Sequence, residues 1–288
     1  MALETWKRLL DRPWLRFPRT VVREVIADDL AGEAARAAYF FFLSLFPIVI
    51  ALFALTGLFG GDAAFDAIMG QIRQVLPGDA AEYLQRFVGE VTGSNRPGML
   101  SLGILLTLWS GSNIFTALIV GLNRVYDLRE TRSWWRRRLL AFFAMGISLL
   151  AINLGTVALL AGPALVRRLG GGVFWQVVRW PLALVLFAGL LWALYYLLPS
   201  RRRQGAVVPT LIGAVSGSVL WVLGTLVFRM YLREYSRFDA TYGFVGGVIV
   251  LLLWLYLTAF SILVGGEIAA TSEQLRREDW EVGAAPSG

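Results

Sequence analysis

The chain has 288 residues, of which 57% are hydrophobic and only 16% charged, against roughly 25% charged in an ordinary soluble domain, and its mean hydropathy is +0.63. That composition excludes a water-soluble globular protein. It holds no cysteine and no histidine, which excludes a disulfide framework, a thiolate metal site and histidine-dependent hydrolysis, and its net charge of +7 rests on arginine, with Lys7 the single lysine.

Residues 1–36 read as a cytoplasmic amphipathic arm. Val22, Val25, Ile26 and Leu30 recur at helical spacing among Arg23, Glu24, Asp28 and Asp29, which predicts a surface helix over 20–30. Trp6 and Trp14 stand among Lys7, Arg8, Arg12 and Arg16, a pattern suited to an anionic leaflet with the indoles at headgroup depth. A solvated basic signal that orients the chain explains the same residues.

Six stretches free of charge are long enough to span a bilayer: 37–61, 97–123, 139–166, 180–200, 204–228 and 240–266. Continuous apolar character without alternation selects helices over barrel strands. The predicted fold is therefore an all-α, polytopic membrane bundle of six transmembrane helices over 37–270, with amphipathic helices at the N-terminus and in the first outer loop. The first span follows a polar arm and has no cleavage site, so it reads as an uncleaved anchor. Pro47, one turn after Ser44, marks a kink in it.

The outer loop 62–98 carries two helical stripes, Phe65 to Leu76 and Tyr83 to Val91, parted by "PGD" at 77–79. In the second span Trp109, Ser112, Asn113, Thr116 and Asn123 share one face, which is expected to meet protein or a water-filled cleft. Leu108, Ile119 and Leu122 are expected against lipid or apolar neighbours. Ser112 and Thr116 read as glue between helices, and Asn113 and Asn153, nearer mid-span, as pathway candidates. The fifth span has Gly213 and Gly217, and the sixth Ser261 and Gly265, at the spacing that lets helix backbones approach, as do Gly57 and Gly61 in the first. Tyr242, Tyr256 and Glu267 share a face of the last span, and 271–288 reads as a cytoplasmic tail.

Arginine and lysine divide 18 to nine between the two sides this topology creates, which places both termini in the cytoplasm. The charge-free stretches contain no Asp or Glu, so an intramembrane aspartyl protease has no pair of carboxylates to use. No Walker A loop is present, and no cofactor or metal is expected. The runs Arg136–Arg138 and Arg201–Arg203 sit at span ends, where headgroups and topology account for them, and nucleic acid is not expected as a partner. Glu267, at the inner end of the last span, is expected to pair with an arginine of one of these runs and to fix or gate that end of the bundle.

Five stretches carry a resemblance: "AYFFFLSLFP" (38–47), "WSGSNIFTALIVGLNRVYD" (109–127), "YYLLPSRRR" (195–203), "LWVLGTLVFRMYL" (220–232) and "YGFVGGVIVLLLWLYLTAFSILVGGEIAA" (242–270). They are similar to the YihY/BrkB family of six-span bacterial inner-membrane proteins. Ser200 stands where that family has Asn after "LP", Phe244 replaces the small residue after "YG", and Gly265–Glu267 and Ala269 alter the "GAE" neighbourhood. The resemblance also implies an older label, ribonuclease BN, but the residues supply no histidine, cysteine or carboxylate cluster for a nuclease centre. Two functions fit. One is ATP-independent transport of a lipid or amphipathic envelope solute, with Ser44, Pro47, Trp109, Asn113, Asn123, Asn153, Tyr242, Tyr256 and Glu267 on the path or gate. The other is a structural or accessory envelope protein. Expected partners are membrane lipids, including anionic headgroups at the cytoplasmic face, and a second copy of the chain or another envelope protein.

Overall fold

The computed structural model describes residues 13–59, 97–168, 172–200, 207–234 and 238–284, and among them every regular element is a helix. Side chains are described mainly over 16–45, 105–152, 181–200, 207–232 and 246–277. In chain order the helices are α1 (Pro13–Ala27), α2 (Leu30–Phe59), α3 (Pro97–Val125), α4 (Trp134–Arg168), α5 (Gly172–Leu197), α6 (Val207–Glu234) and α7 (Phe238–Ala284). Helices α2 to α7 follow the six charge-free stretches one for one.

Among the described residues, two segments are long and apolar enough to cross a membrane, Val207–Leu232 in α6 and Gly246–Arg277 in α7. The outward face of α6 is apolar along its length, with Val208, Leu211, Val215, Leu223, Val227 and Met230 all exposed. An apolar face of that extent needs lipid or another protein as its neighbour.

Local chemistry sets the helix ends. Asp29 takes a left-handed backbone (φ 49°), which its short polar side chain tolerates, and its Oδ1 accepts the Gly32 N–H at 3.2 Å to cap α2. At the end of α3 the Leu128 N–H donates to the Asn123 carbonyl at 2.7 Å and the Asp127 N–H to the Arg124 carbonyl at 2.9 Å. With Asp127 left-handed (φ 52°) and Leu128 packed on the core, this is a Schellman close.

Helix α7 is the hub, packing against α6, α2, α1 and α3, while α5 bridges α4 and α6. Its tightest contact is backbone on backbone. A Cβ at Gly265 would lie 2.7 Å from the Gly217 Cα and 2.9 Å from the Gly213 carbonyl, and would also strike the Tyr195 hydroxyl. That hydroxyl, fully inside the bundle, donates to the Ile262 carbonyl and so ties α5 to α7. Gly213 and Gly217 of the fifth span thus meet Gly265 of the sixth.

Two expectations need correction, and a third is untested. The surface helix runs over Pro13–Ala27, not 20–30, because the turn at Asp28–Asp29 breaks the phase. Val21 and Val25 face the protein, Val22 and Ile26 are exposed, and Leu30 already belongs to α2. The expected tail is not separate: α7 continues to Ala284, with Ala270, Thr271 and Glu273 buried against the bundle. The helices expected in 62–96 lie outside the described residues.

Candidate functional site

The polar groups gather at the end of the bundle where α1 turns into α2, α3 and α5 end, and α7 passes by. Glu267 on α7 is 2% exposed. Its Oε1 accepts the Thr271 hydroxyl at 2.9 Å, one turn on in the same helix. Its Oε2 is buried and has no hydrogen-bond partner among the described residues. Among the described residues, the charged groups that act on it are Asp28, Glu24 and Asp127, all acidic.

The expected arginine pairing is therefore absent among the described residues. Arg138 is committed elsewhere: Nη1 donates to Asn113 Oδ1 at 2.6 Å and Nη2 to the Trp109 carbonyl at 2.9 Å. Its guanidinium lies 3.7 Å from the centre of the Trp109 ring. Arg136 and Arg137 form no ion pair among the described residues, and Arg201, Arg202 and Arg203 lie outside them.

Asn123 works as a clamp. Its Nδ2 donates to Glu130 Oε2 at 2.8 Å and its Oδ1 accepts the Ser200 N–H at 2.7 Å, which joins α3, the loop after it and the end of α5. Arg132 reinforces the joint, donating through Nε and Nη2 to Glu130 at 2.8 Å each and through Nη2 to the Leu198 carbonyl at 2.8 Å. Burial pushes the Glu130 carboxyl up, but the bonds and charge of Arg132 and the amide of Asn123 outweigh it and hold the group below its ordinary value. A second tie joins α2 to α3: buried Glu33 accepts Arg124 Nη1 at 2.9 Å and Arg36 Nη1 at 3.0 Å. Beside it, the Asp28 carboxyl is raised by burial and by the charges of Asp127 and Glu24, with Arg124 opposing.

The other candidates separate. Ser44 is buried, but its hydroxyl donates to the Phe41 carbonyl of its own helix at 2.7 Å. Ser112 and Thr116 likewise bond the carbonyls of Trp109 and Ser112 rather than crossing between helices, because an i−3 or i−4 carbonyl is always within reach. Trp109 is half-exposed with its ring against the Arg138 guanidinium, and Ile119 and Leu122 are fully buried in the core. Tyr256 is half-buried and stacks on Phe260 with centroids 6.0 Å apart. The side chains of Pro47, Asn153 and Tyr242 lie outside the described residues.

A family model described as Virulence factor BrkB matches residues 21–286. The chain belongs to the BrkB family. A ribonuclease-like protein, YfkH, of Bacillus subtilis (strain 168) is 32% identical over 251 residues, covering 83% of this chain and 88% of that protein. A UPF0761 membrane protein of Pseudoalteromonas atlantica is 24% identical over 290 residues, 95% of this chain and 92% of its own. Another, from Aliivibrio fischeri (strain MJ11), is 24% identical over 269 residues, 91% of this chain and 84% of its own. No solved structure matches the chain.

In this BrkB-family membrane protein, sequence reading missed Glu33, Arg124, Glu130, Arg132 and Tyr195. Each is an ordinary-looking residue near a helix end or in the loop after α3, and its partner is set by which segments the fold brings together. Glu33 and Arg124 are 91 positions apart, so no local spacing reports them. Ser200 did carry a signal, as a departure from the family's Asn, and its N–H and hydroxyl are both used, on Asn123 and on the Arg129 carbonyl.

Proposed function

We propose that this BrkB-family chain is a six-span protein of the bacterial inner membrane, both termini cytoplasmic, that moves a lipid or amphipathic envelope solute without nucleotide hydrolysis. The observation that carries this reading is Glu267. This carboxylate is 2% exposed, and among the described residues one of its oxygens is unpartnered and its charged neighbours are acids, so the Thr271 hydroxyl alone offsets its burial there. Ionisable groups kept in such positions within a membrane bundle serve function by default.

The test is reconstitution in liposomes with labelled lipids and amphipathic solutes, comparing wild type with Glu267→Gln. Wild type is expected to accelerate movement over protein-free vesicles, and the folded variant to change the rate. Well-folded wild type that moves none of them overturns the proposal.

One observation favours an accessory, structural role instead. Asn123, more buried than Asn113, has both ends of its amide satisfied and serves to hold three chain segments together. On this reading Glu267→Gln leaves flux at the protein-free level and alters stability alone.

A further inference from the structure

Among the described residues, Arg138 is a buried cation without an anion. The residue is 7% exposed, its two bonds go to neutral acceptors, and its Nε has no partner among the described residues. Among the described residues, the charge that acts on it is Arg137, which repels it. No carboxylate reaches it among the described residues, although buried charges are ordinarily paired. An electropositive corner left uncompensated by the protein is one an external anion can complete.

The surroundings say which kind of anion. The ring beneath Arg138 belongs to half-exposed Trp109, which also meets Trp134 at 6.1 Å, and Trp135 beside it is 73% exposed. Indoles open to the bilayer beside arginines match the depth of headgroup and glycerol. From there Trp135, Leu139 and Phe143 follow at intervals of four along α4, all exposed, and Leu150 prolongs the line. Between Phe143 and Leu150 lies Gly146, where an added Cβ would meet nothing within 4 Å. A cationic head and an apolar track with an open notch fit a molecule that is anionic at one end and a hydrocarbon chain along the rest. A free phosphate ion would use the head and leave the track idle.

We infer that the start of α4 is a binding site for an anionic phospholipid, its phosphodiester held by Arg136 and Arg137 over the Arg138–Trp109 pair and one acyl chain lying along Leu139, Phe143 and the Gly146 notch. The site stands independently of whether the protein transports anything, and it is remote from the Glu267 cluster in bonding.

The test is native mass spectrometry of the detergent-solubilised full chain with equimolar phosphatidylglycerol and phosphatidylcholine, followed by addition of inorganic phosphate. Wild type is expected to retain phosphatidylglycerol preferentially and to keep it when inorganic phosphate is added. Each arginine contributes about fivefold to that preference, so R136Q/R137Q, both positions being at the surface of α4, should bring the ratio close to one while melting as wild type does. Gly146→Leu fills the notch and should lower retention of both lipids, leaving their ratio unchanged. Equal retention of the two lipids by wild type, an unchanged ratio in the folded double variant, or displacement by inorganic phosphate each overturns the inference.

Discussion

Asn123 and Ser200 stand 77 positions apart, and the amide oxygen of one accepts the backbone N–H of the other at 2.7 Å while its nitrogen holds Glu130 at 2.8 Å. One side chain thus satisfies a loop N–H at the end of the bundle and adds a bond to a carboxylate that Arg132 also holds. Asn123→Ala should destabilise the protein by about 1–3 kcal/mol, the cost of leaving buried polar groups unpaired. Asn123→Asp should cost more at neutral pH, because it sets a carboxylate against Glu130, and should recover as the pair takes up a proton on acidification. Thermal unfolding in detergent measures both.

The glycine contact between α6 and α7 predicts a contrast between sites. Gly265→Ala and Gly213→Ala place a methyl against backbone atoms and should lose about 1–3 kcal/mol, as overpacking does. Gly146→Ala on α4 meets nothing within 4 Å and should be neutral or stabilising by about 0.5–1 kcal/mol, the helix cost of glycine. Equal effects at the two kinds of site would refute the close approach.

Tyr195→Phe removes the hydroxyl that donates to the Ile262 carbonyl without changing the ring. A loss of about 1 kcal/mol is expected, and Tyr195→Phe combined with Gly265→Ala should lose less than the sum, because the hydroxyl is one of the atoms the new methyl strikes.

Acidification acts on the loop groups in opposite directions. Glu130 has a folded-state value below its ordinary one, so its contribution is present above the ordinary value and is lost as pH falls through the lowered one. Asp28 has a raised value, so its ionised form weakens the fold, and that cost is relieved as pH falls through the raised value. Glu130→Gln should therefore flatten the acid loss of stability. Asp28→Asn should raise stability near neutrality and remove the gain on mild acidification. Melting curves across pH separate the two, and parallel profiles for wild type and Glu130→Gln would show that Glu130 carries no such contribution.

Glu33→Gln should loosen the joint of α2 and α3 by about 1–3 kcal/mol, since it withdraws the carboxylate shared by Arg36 and Arg124. Both arginines are about half-exposed and return to solvent, which keeps the loss below that of stranding a buried charge.

Much of this architecture is legible in the sequence by itself. Runs of apolar residues without charge set the helices, because a backbone in hydrocarbon has to satisfy its own hydrogen bonds, and α2 to α7 follow those runs. Gly213, Gly217 and Gly265 announced a close approach, because only a missing Cβ lets two helix backbones come so near. Tertiary structure decided the polar partners. Arg138 turned to Asn113 and Trp109, Glu267 was left with Thr271 among acids, and Asn123 became a clamp. Helical periodicity reports which residues share a face, but says nothing of which neighbouring helix that face meets or at what height. Hydrogen bonds are won or lost over about an ångström, so pairs such as Glu33 with Arg124 exist only once the helices have been set side by side.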